Sequence, residues 1–272
     1  MSPATDPGSS DPGRPLADSA GQPWAGRSFQ ANPHAADDGR MPADLADALE
    51  RFRAGEAGQS EVVHAFAGAR LLIPLVAELG AGADDAGDAP GAHGLRVDKS
   101  QELSIVTVAG PDGRKVLPVF GSVEAMGRWN PLARPVPADG VRVALAAADD
   151  GTDLVVLDPG SPTEFVLRRP AVWAVARSHP WQPPFEAAEV AAAFERSIGS
   201  ELAVLGVELL AGDPYARLAG PELVVRLTLV AGLTRTELDA TTARLARRWA
   251  EDDRIATGVD SLVVKLVGGA AA

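Results

Sequence analysis

The 272-residue chain contains no cysteine. That absence removes disulfides, thiol nucleophiles, iron–sulfur ligation and every thiolate zinc site from consideration. Histidine is scarce, with four in the chain, and long hydrophobic runs are missing. The longest, LLIPLVA at Leu71–Ala77, falls far short of the roughly 18 residues that a membrane-spanning helix needs. Basic residues are outnumbered 37 to 25, a formal net charge of −12, which repels nucleic-acid phosphates and anionic membrane surfaces. The densest basic group, Arg244, Arg247 and Arg248, is followed at once by Glu251, Asp252 and Asp253, the pattern of a solvated helix face. The N-terminus has no basic region leading into an apolar stretch, so it does not read as a secretory signal. The expectations are a cytoplasmic protein with no nucleic-acid partner and no membrane.

What is present suits a globular chain, with 46% apolar and 23% charged residues. Residues 1–40, rich in Pro, Gly, Ser and Asp, lack an apolar period and are expected to form a disordered tail. Leu45, Leu49 and Phe52 then share one helical face, and Ser60 offers the N-cap of a second helix whose short apolar face carries Val62 or Val63, Phe66 and Ala69. LLIPLVAEL reads as a strand in which Pro74 argues for an edge or a bulge. A Gly, Ala and Asp run over 80–98 is expected to be a mobile insertion.

ELSIVTVA and RKVLPVFG, joined by Pro111-Asp112-Gly113, predict a β-hairpin. Ser122 can cap a short helix through Val123, Met126 and Trp129, and Val141–Ala148 reads as another helix. TDLVVLD and EFVLRR follow as strands, and Pro170 suits the first turn of a helix. A Pro-rich stretch at 180–185 reads as a linker. Beyond it the pattern restarts in the order α-β-β-α-β over 186–268, including a capping box at Thr234 and Glu237. The predicted fold class is α/β (α+β), two mixed-sheet domains at 41–179 and 186–268 with helices packed on the sheets.

No catalytic constellation emerges. The chain has no G-x-S-x-G elbow and no H-E-x-x-H pair. His34 and His93 fall in the tail and the insertion, His179 lies in the Pro-rich stretch, and His64 sits on a short helix. The phosphate-loop-like Gly110–Val116 places Lys115 in a hairpin, and Gly80–Asp85 lacks the third glycine of a dinucleotide fingerprint. Asp149, Asp150 and Asp153 lack the spacing of a calcium loop. No catalytic residue, cofactor or metal ligand is nominated. One place stands out: the Phe120-Gly121-Ser122 turn, where a strand leading into a helix could offer backbone N–H groups to an anion or an acidic side chain, with Trp129 as an anchor for a protein partner.

LLIPLVAEL, SIVTVAGPDGRKVLPVFGSVEAMGRW, the RPVP at Arg134–Pro137 and LVVLDPGSPTEFVLRRPAVWAVA together resemble the SseB N-terminal domain over about residues 43–178. Residues 186–267 resemble more loosely the C-terminal domain of longer SseB proteins. The family takes its name from a serine-sensitivity phenotype, and the resemblance implies no enzyme mechanism. It leaves a non-enzymatic binding or regulatory protein acting on a protein partner as the leading expectation. The rivals are a small hydrolase or transferase with carboxylates assembled by the fold, and a homo-oligomer acting as a scaffold.

Overall fold

The computed structural model describes residues 37–78, 102–105, 107–110 and 112–269. The expected tail, apart from its last residues, and the 80–98 insertion lie outside the described residues.

Helix α1 (Ala43–Ala54) buries Leu45, Ala48 and Leu49, and Gly55 closes it in the left-handed conformation with its N–H on the Arg51 and Phe52 carbonyls. Helix α2 (Gln59–Gly68) buries Val62, Val63 and Phe66. Its N-cap is Gly58, two residues before the expected Ser60, and the Glu61 carboxylate reaches back to the Gly58 N–H. Strand β1 (Arg70–Glu78) runs next.

β2 (Glu102–Ile105), β3 (Val108–Ala109) and β4 (Lys115–Val119) come from the predicted hairpin. Its first arm is split. β3 pairs with β4 across the Gly113 turn, whereas β2 pairs with β1 from Leu75↔Ile105 to Glu78↔Glu102. Helix α3 (Val123–Trp129), strand β5 (Arg134–Asp139) and helix α4 (Gly140–Asp149) follow, then β6 (Leu154–Leu157), β7 (Phe165–Leu167) and α5 (Arg169–Ala176). Pro170 occupies the first turn of α5, where no N–H is needed.

One sheet has the antiparallel order β2-β1-β5, and the other is mixed in the order β3-β4-β6-β7, with β4 and β6 parallel. Paired backbone bonds between Leu72 and Phe120, 2.8 and 2.9 Å, stitch them together. β1 is therefore central, not an edge. It tolerates Pro74 because that nitrogen points the same way as the Leu72 N–H, into the gap between the Phe120 bridge and the first β2 pair. Side chains from α1, α2, α4 and α5 share one apolar core with inward residues of β1, β4, β6 and β7. At the start of α4, a Cβ on Gly140 would lie 2.0 Å from the Phe66 carbonyl oxygen, so only glycine lets α4 approach the end of α2.

The remaining elements are α6 (Ala188–Ile198), β8 (Val204–Ala211), β9 (Leu223–Leu229), α7 (Arg235–Glu251), α8 (Asp253–Gly258) and β10 (Leu262–Gly268). The predicted order gains the short helix α8, whose N-cap Asp252 accepts from the Arg254 and Ile255 amides. The sheet order is β10-β9-β8, with β8 antiparallel and β10 parallel to β9. α7 and α8 form the crossover that parallel strands require. Phe194, Leu245 and Trp249 pack with β9 residues Leu223, Val225 and Leu227 in a second core.

Trp181 packs on the first core and Phe185 on the second, so the Pro-rich stretch between them lies against the protein. A loop after β8 also reaches the first group of strands. The Val166 N–H donates to the Ala216 carbonyl at 2.8 Å, and Leu218 joins Val116, Leu154, Val156 and Val166. Among the described residues no helix is long and apolar enough to cross a membrane.

Candidate functional site

At the strand-to-helix turn singled out in the sequence, Phe120, next after β4, is fully buried, and its ring lies 5.2 Å from that of half-buried Trp129. Leu72, Ala125 and Met126 complete this small apolar cluster. The Ser122 hydroxyl accepts from the Ala125 N–H at 3.1 Å and so caps α3, as its sequence position predicts. Two amides of the turn are engaged inside the protein: Gly121 N–H donates to Asp158 Oδ1 at 2.9 Å, and Val123 N–H to the Gly39 carbonyl at 2.9 Å. Asp158, at the end of the neighbouring parallel strand β6, is fully buried with φ 48°, and its Oδ2 accepts from Thr163 Oγ1 at 2.7 Å. Burial pushes the Asp158 carboxyl above its ordinary value, against the stabilising bonds from Thr163 and Gly121. The turn is thus knitted to the DPGSP loop, with Val123 on its outer face and Leu132 beyond Trp129 exposed.

A second surface lies at the other end of the chain. β10 is an edge strand, paired with β9 in unbroken register from Leu262↔Leu223 to Gly268↔Leu229. Its outer edge has no strand beside it among the described residues. Val263, Leu266 and Val267 are 41–44% exposed. Beneath this edge a groove of about 690 Å³ is lined by Ala243, Ala246 and Ala250 of α7, Ile255 of α8, and Leu262 and Val264 of β10. The available sequence signal is the helical spacing of those alanines beside the buried Leu245 and Trp249, the latter also lining the groove. That signal is not specific, because small residues on an outer helix face look the same whether or not a groove lies under them.

Residues 45–174 match the family model of the SseB protein N-terminal domain. The chain carries an SseB N-terminal domain. The match runs from α1 into α5, within the boundaries that the sequence motifs suggested, and residues beyond 174 lie outside it. No curated protein and no solved structure matches the chain.

Where the SseB domain meets the C-terminal strands, arginines and carboxylates form a buried seam. Arg168, next after β7, is 6% exposed. Its guanidinium donates to Asp213 Oδ2 at 2.7 Å, the Gly220 carbonyl at 2.7 Å, Ser261 Oγ at 3.2 Å and Asp260 Oδ2 at 3.3 Å. Arg114 grips Asp260 with two bonds of 2.9 and 3.1 Å and also holds Asp112 at 2.7 Å. The hydrogen bond with Asp260 is the main reason that the Arg114 guanidinium is held protonated even more firmly than usual. Glu222 accepts the Asp260 N–H at 2.6 Å, and burial pushes its carboxyl up to about 7. Asp213 also accepts from the Arg217 and Leu218 amides, which shapes the loop that inserts Leu218. Sequence reasoning did not assign these residues. Arg114, Arg168, Asp213 and Asp260 are paired with one another, Glu222 is held by a backbone amide, and the seam acts as a clamp.

The remaining sequence candidates stay apart. Lys115 begins β4, and Asp150 accepts from Thr152 Oγ1 at 3.0 Å in the turn after α4. Among the described residues no group of three His, Asp or Glu side chains could hold a metal ion.

Proposed function

We propose that this protein is a non-enzymatic binding protein that captures an extended segment of a protein partner by strand addition to the free edge of β10. The observation that carries this reading is the edge itself. Uncovered edges are usually blunted by charges, proline or bulges, yet β10 has regular register, no proline and a single charge, Lys265, over seven residues. The adjoining apolar groove supplies the side-chain pocket that accompanies main-chain pairing in strand-addition complexes. The matching segment is extended, with apolar side chains at alternate positions. It carries basic flanks, because this chain has a net charge of −12.

Ala246→Arg fills the groove and Leu266→Asp charges the edge, and both positions are exposed, so folding stays within about 0.5 kcal/mol of the parent. A partner recovered from native cells with the parent chain should be lost from both variants and kept by Trp129→Ala. Retention by both edge variants overturns the reading. Loss with Trp129→Ala alone moves the contact to the α3 turn.

A further inference from the structure

Two histidines that lie far apart in the sequence meet at one cleft. His64 and Ser60 of α2 line a common open space of about 450 Å³ with Ser178, His179 and Trp181, which follow α5, and His64, Ser178 and His179 are exposed to solvent in it. Val63, Val141 and Val175 form its apolar floor. Among the described residues neither imidazole and neither of these two serine hydroxyls makes a hydrogen bond or ion pair with the protein. An apolar cavity of several hundred Å³ with a few convergent polar groups has the form of a small-molecule site.

Ser178 adds a second, independent observation. It ends α5 with φ 55°, its N–H on the Val175 carbonyl at 2.9 Å and the His179 N–H on the Ala174 carbonyl at 2.9 Å. This is the helix-ending motif in which glycine is the usual left-handed residue. Serine there carries a conformational cost that glycine would remove. What serine adds is a hydroxyl in the cleft. Pro180 follows and Trp181 folds back onto the core, so the strained turn also sets the indole as one wall.

The lining fixes the ligand chemistry. An indole wall and valine floor suit a planar aromatic ring. Imidazole and hydroxyl donors, with no Asp or Glu among the lining residues, suit an anionic group and not a cation. With no third imidazole or carboxylate present, a metal would have an incomplete donor set. We infer that this cleft binds a small aromatic carboxylate, its ring against Trp181 and its carboxylate held by His64, His179 and the two serines. The inference is independent of the β10 reading.

The test uses the full chain with indole-3-carboxylate as probe and indole-3-carboxamide as its uncharged match, followed by calorimetry and by NMR of the histidine ring protons. The carboxylate should bind with a submillimolar Kd and shift the His64 and His179 signals. His64→Ala and His179→Ala should each weaken it about tenfold, the worth of one charge-assisted hydrogen bond. Ser178→Gly should raise Tm and still weaken binding, a pairing that a merely structural serine would not give. The inference fails if the two ring signals stay fixed up to about 10 mM probe, a weak-binding limit. It also fails if the carboxamide binds equally well, or if zinc ion alone moves both rings while the carboxylate moves neither.

Discussion

Glu201 and Asp260 each hold two arginines, and the surroundings separate their roles. Glu201 bonds Arg244 at 2.7 Å and Arg248 at 2.9 Å, and these arginine side chains are 47% and 36% exposed. Asp260 holds Arg114 at the rim, but its other partner, Arg168, is 7% exposed and also carries Asp213, itself 2% exposed. The Glu201 side chain is itself only 5% exposed, but both of its arginines reach solvent, so water can take the place of a lost partner on their side of the first cluster. In the second it cannot, so breaking one pair strands a charge in a low-dielectric interior. The same chemistry is a surface brace between α7 and the turn before β8 in one case, and in the other the clamp between the SseB domain and the C-terminal strands.

The strongest way to break this contrast is Arg168→Met, which leaves Asp213 without its guanidinium. We expect a loss on the order of 3–5 kcal/mol in urea unfolding. An effect no larger than that of a surface substitution would remove the distinction. Next comes pH. Glu222 rises from 4.5 to about 7 on folding, so the native state binds more protons than the unfolded one between those values. Its contribution, about 3 kcal/mol by linkage, is fully present below 4.5 and is lost as pH rises through 7. Glu222→Gln should flatten that slope.

Removing Arg114 should cost about 2 kcal/mol, because its bonds to Asp260 are charge-assisted but partly wet. The smallest effect belongs to Glu201→Gln, and it should vanish in 1 M salt, where the Debye length is about 3 Å. Its pH dependence has the opposite sign to that of Glu222. The Arg244 hydrogen bond holds the Glu201 carboxyl below its ordinary range, so this contribution is present at neutral pH and fades as acid protonates the folded state. Unfolding measured from pH 8 down to about pH 2 in the two variants separates the clusters by sign, because the Glu201 loss lies below the ordinary carboxylate range.

Features that depend on a few neighbouring residues were legible. The Thr234–Glu237 capping box, the Ser122 cap and Pro170 in the first turn of α5 all form as spacing predicts. Helix α4 forms where its alanine-rich sequence suggested. Features that depend on which strand lies alongside were not. Pro74 looked like an edge residue because nothing in LLIPLVAEL shows that the ladder on one side leaves a gap at that position. ELSIVTVA looked like one strand because its division between β1 and β4 is a choice of partner. The candidate turn was legible as a cap, but the engagement of its Gly121 amide by Asp158, 37 residues away, was not. In the sequence His64 is a helix residue and His179 a linker residue, and the fold brings them to one cleft.

By itself the sequence determined the class of the fold, the placement of most helices, the SseB resemblance and the exclusion of thiol chemistry, because composition and short-range periodicity act within a few residues of the chain. Only the tertiary structure decided that Arg168 would join residues 45 and 92 positions away, that β10 would have no second strand beside it among the described residues, and that two histidines would line one cleft. Each of those outcomes depends on which distant surfaces exclude water together, and no local pattern of side chains encodes that.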